Sequence, residues 1–221
     1  YPIYFSSHGT TTASSVQGNT ISAIAMSGDL SGTGTAAPFA GIMVASGLAN
    51  IGNTTGNTIG SKTAADSITF TSASTSTSEI YGVLYSTSNA VNISNNNLGG
   101  IGVTNSSTGA VDLYGTRANT GAAVTNTMNA NTVGFANAPL TNAATAAASN
   151  VVGVYCQTGI CSVSGNKVQN LTMSGGNVGT GANASLIGLW IDDPSAAGST
   201  ISGNTVSDLA NTNTSANASV T

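Results

Sequence analysis

One short pattern recurs six times along this chain of 221 residues: an asparagine followed, two positions later, by an apolar residue. Five copies also have an apolar residue three positions before the asparagine, whereas Thr54 holds that place in the second copy. The asparagines are Asn19, Asn57, Asn96, Asn131, Asn166 and Asn204, at separations of 38, 39, 35, 35 and 38 residues. A nearly fixed period of this length is typical of stacked-repeat architectures. The repeating unit is a scaffold and not a site, so the pattern constrains the fold more than the function.

Each copy of the pattern predicts two short strands that meet at a sharp bend. Apolar positions two or three residues apart, interrupted by Gly-Asn or a similar pair, are typical of such an arrangement. Asparagine tolerates the left-handed backbone that the bend needs, and in stacked coils its amide can bond to the asparagines above and below. We therefore expect an asparagine ladder beside a buried apolar column, Ile21, Ile59, Leu98, Val133, Val168 and Val206. A second apolar position follows five residues after the asparagine at Ile24, Ile101, Leu171 and Leu209, with Lys62 and Ala136 as exceptions.

A third strand is predicted upstream of each bend, where a glycine precedes three larger residues. These segments are 41–44, 82–85, 153–156 and 188–191, with 2–5 in the same place in the first coil and 110–113 as the best match in the irregular third coil. Segments rich in Gly, Ser, Thr and Ala, such as 27–39, 63–79 and 174–185, predict loops on one edge. Three short strands per repeat predict an all-β parallel solenoid of about six coils of 35–39 residues, and residues 1–221 form one segment of it.

The strand–bend–strand pattern and the three-strand coil resemble the right-handed parallel β-helix, the pectin-lyase-like architecture. The phrase Ile201-Ser202-Gly203-Asn204-Thr205-Val206, with its following Thr/Asn/Ser loop, is similar to repeats of very large secreted and surface proteins of Bacteroidota-type bacteria. The resemblance covers nearly the whole chain. It implies adhesion, surface-layer or fibre roles, and also polysaccharide cleavage, so it is specific for the fold alone.

Composition excludes several classes of function. Only 5% of the residues are charged, against roughly 25% in ordinary domains. Three basic residues cannot neutralise a phosphate backbone, so nucleic acid is not an expected partner. No apolar run is long enough to insert into a membrane, and the sequence indicates no cofactor. Uncharged polar side chains stack on copies of themselves at strand spacing, which suits a solenoid.

The sequence offers few residues for catalysis. Lyases of the resembled architecture use clustered carboxylates to hold calcium and a basic residue to abstract a proton. Here the one arginine is Arg117, and the adjacent acids are Asp192 and Asp193, which more simply end a strand and begin a turn. His8, the one histidine, has the context of a loop. We therefore expect no catalytic residue and no metal site.

Cys156 and Cys161 flank a four-residue segment in the coil with the shortest path to its bend. A disulfide that closes this turn fits an exported protein. The alternative is a pair of free thiols packed as small apolar side chains.

The middle residues of the glycine-led strands are expected to face outward. They would form a stripe of large side chains, Tyr4, Met43, Leu84, Tyr155 and Trp190. Three interpretations stay open: loops fold back over the stripe, sugar rings stack on it, or it forms a lateral interface to another rod.

The sequence favours a structural, non-enzymatic segment of an extracellular or cell-surface fibre, stalk or adhesin, belonging to a longer repeat protein. Self-association or further repeats end to end are its expected partners. A carbohydrate-binding or polysaccharide-cleaving protein is the alternative, with glycan as the partner. Ice binding receives little support because Thr33-Gly34-Thr35 and Thr69-Phe70-Thr71 do not recur at the repeat period.

Overall fold

The computed structural model describes residues 1–6, 9, 11–121, 123–146, 148–177, 179–192 and 198–213. These residues form an all-β parallel solenoid of about five turns. In the described part, helix is limited to two single 3-10 turns, Gly34–Ala36 and Gly181–Asn183. The strands in chain order are β1 (Ile3–Ser6), β2 (Ser14–Val16), β3 (Thr20–Ile21), β4 (Ile24–Gly28), β5 (Phe39–Ser46), β6 (Ala49–Ile51), β7 (Thr58–Gly60), β8 (Ile68–Ser72), β9 (Ser78–Ser86), β10 (Val91–Ser94), β11 (Asn97–Gly99), β12 (Ile101–Asn105), β13 (Val111–Asn119), β14 (Thr125–Asn129), β15 (Thr132–Val133), β16 (Leu140–Asn142), β17 (Asn150–Cys156), β18 (Ile160–Ser164), β19 (Lys167–Met173), β20 (Leu186–Ile191), β21 (Thr200–Ser202) and β22 (Thr205–Asn211).

Three parallel sheets enclose the core, and each coil contributes to all three. The first sheet has the order β1-β5-β9-β13-β17-β20, and the second has the order β2-β6-β10-β14-β18-β21. The third sheet contains the strands that follow the bend, which are split in two in the early coils and continuous in β19 and β22. The predicted column from Ile21 to Val206 is one register column of this third sheet. Its members are buried except Val206, which lies on the last rung.

The ladder of asparagines runs along the corner between the second and third sheets. In every step the side-chain amide and the main-chain N–H of one asparagine donate to Oδ1 of the next. The amide bonds measure 2.9 Å from Asn19 to Asn57, 2.8 Å to Asn96, 3.0 Å to Asn131, 3.0 Å to Asn166 and 2.9 Å to Asn204. Each of these asparagine-to-asparagine bonds runs from one rung to the next toward the C-terminal end, while the same amides also donate to main-chain carbonyls of the preceding coil, as Asn57 does to Val16.

The left-handed backbone at the bend belongs to a different residue from the one that the sequence suggested. In five of the six copies the residue just before the ladder asparagine has positive φ, as at Gly18 (65°), Asn95 (60°) and Gly165 (62°), whereas none of the six ladder asparagines does. The ladder asparagine is therefore selected for its side-chain bonds, and glycine before it relieves the steric cost of the turn.

Each glycine-led strand approaches the third sheet closely across the core. A β-carbon at Gly153 would overlap Val168 Cγ1 and the carbonyl oxygen of Gly188. The same holds at Gly82, where it would overlap Leu98. The glycine is required here because the two sheets leave no room for a side chain.

Cys156 and Cys161 form a disulfide with a Cα–Cα distance of 6.2 Å. It joins the end of β17 to the start of β18, and both residues are buried. The disulfide rather than the pair of free thiols is therefore present in the structure.

In the irregular coil, whose first-sheet strand is β13, the sequence assigned the wrong residues to the glycine-led position. Segment 110–113 overlaps the beginning of β13, but the residues in register with Gly82–Tyr85 are Thr116, Arg117 and Ala118, which follow Gly115. The loop predicted over 63–79 also contains a strand, β8.

Candidate functional site on the outer face of the first sheet

Tyr4, Met43, Leu84, Tyr155 and Trp190 stand in one outward register column, and Arg117 occupies the rung between Leu84 and Tyr155. Most of these outward-facing residues are nevertheless buried. Met43 and Leu84 are 0% and 1% exposed, and Tyr155 is 5% exposed. Tyr4, on the first rung, is 57% exposed, and Trp190, on the last, is partly exposed.

Loop residues fold back over this face. Ala37 and Ala184, which follow the two 3-10 turns, are buried in a second apolar cluster together with Met43, Leu84 and Tyr155. This cluster lies on the opposite side of the sheet from the main core. Of the three interpretations of the stripe, burial under loops therefore describes its centre.

Four aromatic rings stack along the solenoid within this cluster. The ring centroids of Tyr81 and Tyr114 are 5.1 Å apart, those of Tyr114 and Tyr155 are 6.0 Å apart, and those of Tyr155 and Trp190 are 4.4 Å apart. The planes are tilted by only 17° to 21°. Each inner ring therefore uses both faces on its neighbours. The two end rings, Tyr81 and Trp190, each have one face directed away from the stack; Tyr81 is buried, whereas Trp190 is partly exposed.

Arg117 lies beside the stack and joins it to a partly buried ion pair. Its guanidinium carbon is 5.2 to 5.6 Å from the ring centroids of Tyr81, Tyr114 and Tyr155. Nη1 donates to Glu79 Oε1 at 2.9 Å and to the Tyr81 hydroxyl, and Nε donates to Gln157 Oε1 at 2.9 Å. The arginine is thus committed to structural contacts, and no hydrogen-bonding nitrogen in the fork is left without a partner.

Both carboxylate oxygens of Glu79 also have hydrogen-bond partners. Its second carboxylate oxygen accepts hydrogen bonds from the Tyr81 hydroxyl and from the main-chain N–H of Gly34. The Gly34 bond ties the first covering loop to the sheet. Burial raises the pKa of Tyr81 far above its usual value, against the opposing field of Arg117, so its hydroxyl stays a donor.

Asp112 and Asn150 differ from the other residues of this polar cluster, because each has a side-chain oxygen without a hydrogen-bond partner. They are register neighbours, and Asp112 is also the neighbour of Glu79. Oδ1 of Asp112 and Oδ1 of Asn150 are buried without a hydrogen-bond partner. Burial, and then the negative charge of Glu79, raise the pKa of Asp112 to about 7. Arg117 forms its ion pair with Glu79, so protonation of Asp112 avoids a second negative charge beside that pair.

The residues considered for catalysis are not brought together by the described part of the chain. Asp192 is exposed just after β20, and its main-chain N–H donates to the carbonyl of Cys156. Asp193 and His8 lie outside the described residues. Among the residues that the structure describes, no group of three or more His, Cys, Asp or Glu side chains could hold a metal ion. The same residues include no helix long and apolar enough to cross a membrane.

Threonine recurs in register on the outer face of the third sheet, which the sequence did not indicate. Thr69 shares a column with Thr141 and Thr172, and Thr71 is the neighbour of Thr104. Gly102 and Ala25 interrupt the first column, so it is not a continuous threonine array. Thr33 and Thr35 lie instead at the first 3-10 turn.

The two end coils expose apolar residues that are buried in the middle coils. At the C-terminal end, Ile201 is 50% and Val206 is 44% exposed. An open depression there is lined by Leu189, Trp190 and Ile191. Its counterpart at the N-terminal end is lined by Ile3, Asn19, Ile21 and Ile24, among others. Among the described residues, both end coils therefore present apolar side chains and strands that are paired on one side only.

Comparison with known proteins returns no relative. No protein-family model matches the chain. No curated protein and no solved structure matches it either.

Proposed function

We propose that the chain is a structural segment of an extracellular β-solenoid, part of a surface fibre, stalk or adhesin, with no catalytic role. The observation that carries the proposal is the continuity of its columns. The asparagine ladder and the column from Ile21 to Val206 pass through all six rungs without a break. A scaffold of this kind supplies length and rigidity, since each coil is held by the next.

The proposal extends to the right-handed, pectin-lyase-like type of β-helix and to the large surface proteins of Bacteroidota-type bacteria. Its support is the repeat phrase and the three-strand coil that the sequence shares with them. The Cys156–Cys161 disulfide supports export, because such bonds persist in oxidising compartments.

Persistence outside the cell also fits the distribution of basic residues. The chain has three, and Arg117 is held in the outer-face cluster. Lys62 and Lys167 remain as exposed sites for a protease that cleaves after basic residues.

The glycan-binding alternative requires aromatic faces that sugar rings can reach. On the outer face of the first sheet the inner tyrosine rings cover one another, so they lend it no support. The polysaccharide-cleaving alternative would need an acid and a base near an open groove. Asp192 is an exposed acid near this face; burial, opposed by Arg117 and supported by the charge of Asp192, raises the pKa of the Tyr155 hydroxyl.

Immunogold electron microscopy of intact producing cells, with antibodies against the purified chain, tests the proposal. Label on filaments or stalks that project from the cell is the expected result. Label confined to the cytoplasm would contradict it. Release of reducing or unsaturated sugar ends from acidic polysaccharides, abolished by Asp192→Asn, would replace it with the enzymatic alternative.

A further inference from the structure

Asn126 places a buried amide next to the Cys156–Cys161 disulfide. Its side chain is fully buried, and Asn126 and Cys161 are register neighbours on β14 and β18. Nδ2 donates to the carbonyl oxygen of Thr158 at 2.6 Å and lies 3.9 Å from Cys156 Sγ. Oδ1 of the same amide is buried and has no hydrogen-bond partner. A buried acceptor without a donor costs free energy, so the oxidised state carries this cost.

The orientation of this amide is fixed by its partners. The Thr158 carbonyl can only accept a hydrogen bond, so the nitrogen of Asn126 must face it. Thr120 Oγ1 accepts a second bond from the same nitrogen at 2.7 Å. Turning the amide over would bring its oxygen against the Thr158 carbonyl, which also has only lone pairs to offer. Oδ1 of Asn126 therefore stays without a protein donor as long as the cysteines are joined.

The reduced state of the two cysteines supplies the missing donor. A disulfide has no hydrogen to give, whereas each thiol has an S–H group that donates weakly. Reduction breaks the Sγ–Sγ bond and adds two electrons and two protons, which come from a dithiol that itself becomes a disulfide. The thiol of Cys161, on the rung next to Asn126, is then in place to donate to Oδ1.

The turn that the disulfide closes is also held by bonds that involve no sulfur. Thr158 Oγ1 accepts from the main-chain N–H of Thr120 at 2.6 Å, and the Thr158 carbonyl accepts from Thr120 Oγ1 at 3.1 Å. The main-chain N–H of Ile160 donates to the carbonyl of Val124 at 2.9 Å. These bonds persist when the disulfide is broken, so they keep the two thiols within reach of each other.

We propose that Cys156 and Cys161 are a reversible redox pair that exchanges with a dithiol, and that Asn126 is the positioning residue that stabilises its reduced state. Both cysteines are fully buried, while Gln157, Thr158 and Ile160 between them are partly exposed. Exchange therefore proceeds through opening of this turn and is slow. The inference goes beyond the structural role proposed above and does not depend on it.

Long equilibration of the chain with mixtures of reduced and oxidised dithiothreitol measures the exchange constant. Asn126→Val removes the unpartnered oxygen from the oxidised state, so its disulfide should be about tenfold harder to reduce. Ser162→Ala, next to Cys161 on the outer side of β18, should leave the constant unchanged. Equal constants for all three chains overturn the proposal, and so does a reduced chain that does not regain its disulfide when oxidised dithiothreitol is restored.

The infrared S–H stretching band tests the hydrogen bond directly. The chain has two cysteines, so Cys156→Ala leaves Cys161 as its single thiol, beside Asn126. Its band should lie at lower frequency than that of a cysteine thiol in an apolar solvent, because the S–H group donates to Oδ1. The shift should disappear when Asn126→Val is added. A band at the frequency of an unbonded thiol in Cys156→Ala overturns the role of Asn126, even where the variant without the amide does not fold.

Discussion

At the scale of single residues, Asn96 and Asn97 are adjacent and chemically identical, yet only one belongs to the ladder. Asn96 is fully buried, and its amide donates to the carbonyl of Ile51 and to Asn131. Its Oδ1 accepts two donors from Asn57. Asn97 is partly exposed, and its main-chain N–H forms an ordinary strand bond to Asn57.

Asn96→Ala should therefore destabilise the fold by roughly 2–5 kcal/mol, because buried donors on Asn57 lose their acceptor. Asn97→Ala should change the free energy of unfolding by less than about 1 kcal/mol. Chemical denaturation of both variants measures the difference. Equal losses would mean that the ladder bonds do not contribute specifically.

Asp112 gives stability a pH dependence with a definite sign. Its folded pKa of about 7 is above that of a carboxyl group in the unfolded chain, so the folded state holds the proton more tightly. The contribution is therefore fully present below pH ~4 and is lost as pH rises toward about 7. The charged groups that face it are Glu79, which favours the proton, and Arg117, which opposes it.

Asp112→Asn keeps the shape and removes the proton equilibrium. Between about pH 4 and 8 the unaltered chain should lose roughly 2–4 kcal/mol relative to this variant, with Asp192→Asn as the exposed control. Thermal melting across that range measures the effect. Parallel curves for the chain and Asp112→Asn would show that Asp112 is ionised in the folded state without cost.

At the scale of elements, β19 shows how one strand separates core from surface. Val168 is buried between Val133 and Val206 and contacts the backbone region of Gly153, while its neighbour Lys167 is exposed. Val168→Asp should destabilise by several kcal/mol, since it places an unpaired charge in the core. Lys167→Asp, one position away on the outer side, should have an effect near zero. A melting temperature that responds equally to both would remove Val168 from the core.

The sequence predicts those elements in which the apolar period is intact and fails where insertions shift it. Ile68 and Leu140 occupy the places that spacing assigned to Lys62 and Ala136, because extra residues lengthen the turn after the bend in those two coils. In β13, Thr116 and Arg117 stand where the other coils have large apolar residues. The sequence pattern therefore did not identify Gly115 as the glycine that leads this strand. Aligning Gly115–Ala118 with Gly82–Tyr85 would have placed Arg117 in the outward column.

Burial of that column was one of three interpretations that the sequence left open, and the sequence could not choose among them. The covering residues, Ala37 and Ala184, lie in Gly/Thr/Ala segments with no periodicity, and what holds the first of them is a bond between Gly34 and the distant Glu79. Contacts of this kind depend on which rungs become neighbours. The tyrosine stack likewise combines residues from two different columns, at Tyr81 and Tyr155, and neither column is aromatic on every rung.

At the scale of the whole molecule, each coil is stabilised by the coil on either side, so stability should be unequal along the rod. The middle coils have two neighbours, whereas the end coils have one and keep Ile201 and Val206 about half exposed. Amide hydrogen exchange should therefore be slowest in β9–β14. It should be fastest in β1–β4 and β20–β22, where the outer edges lack strand partners within the described chain.

Exchange measured by mass spectrometry tests this gradient. Protection that is uniform along the chain would contradict the view that the coils stabilise one another as nearest neighbours.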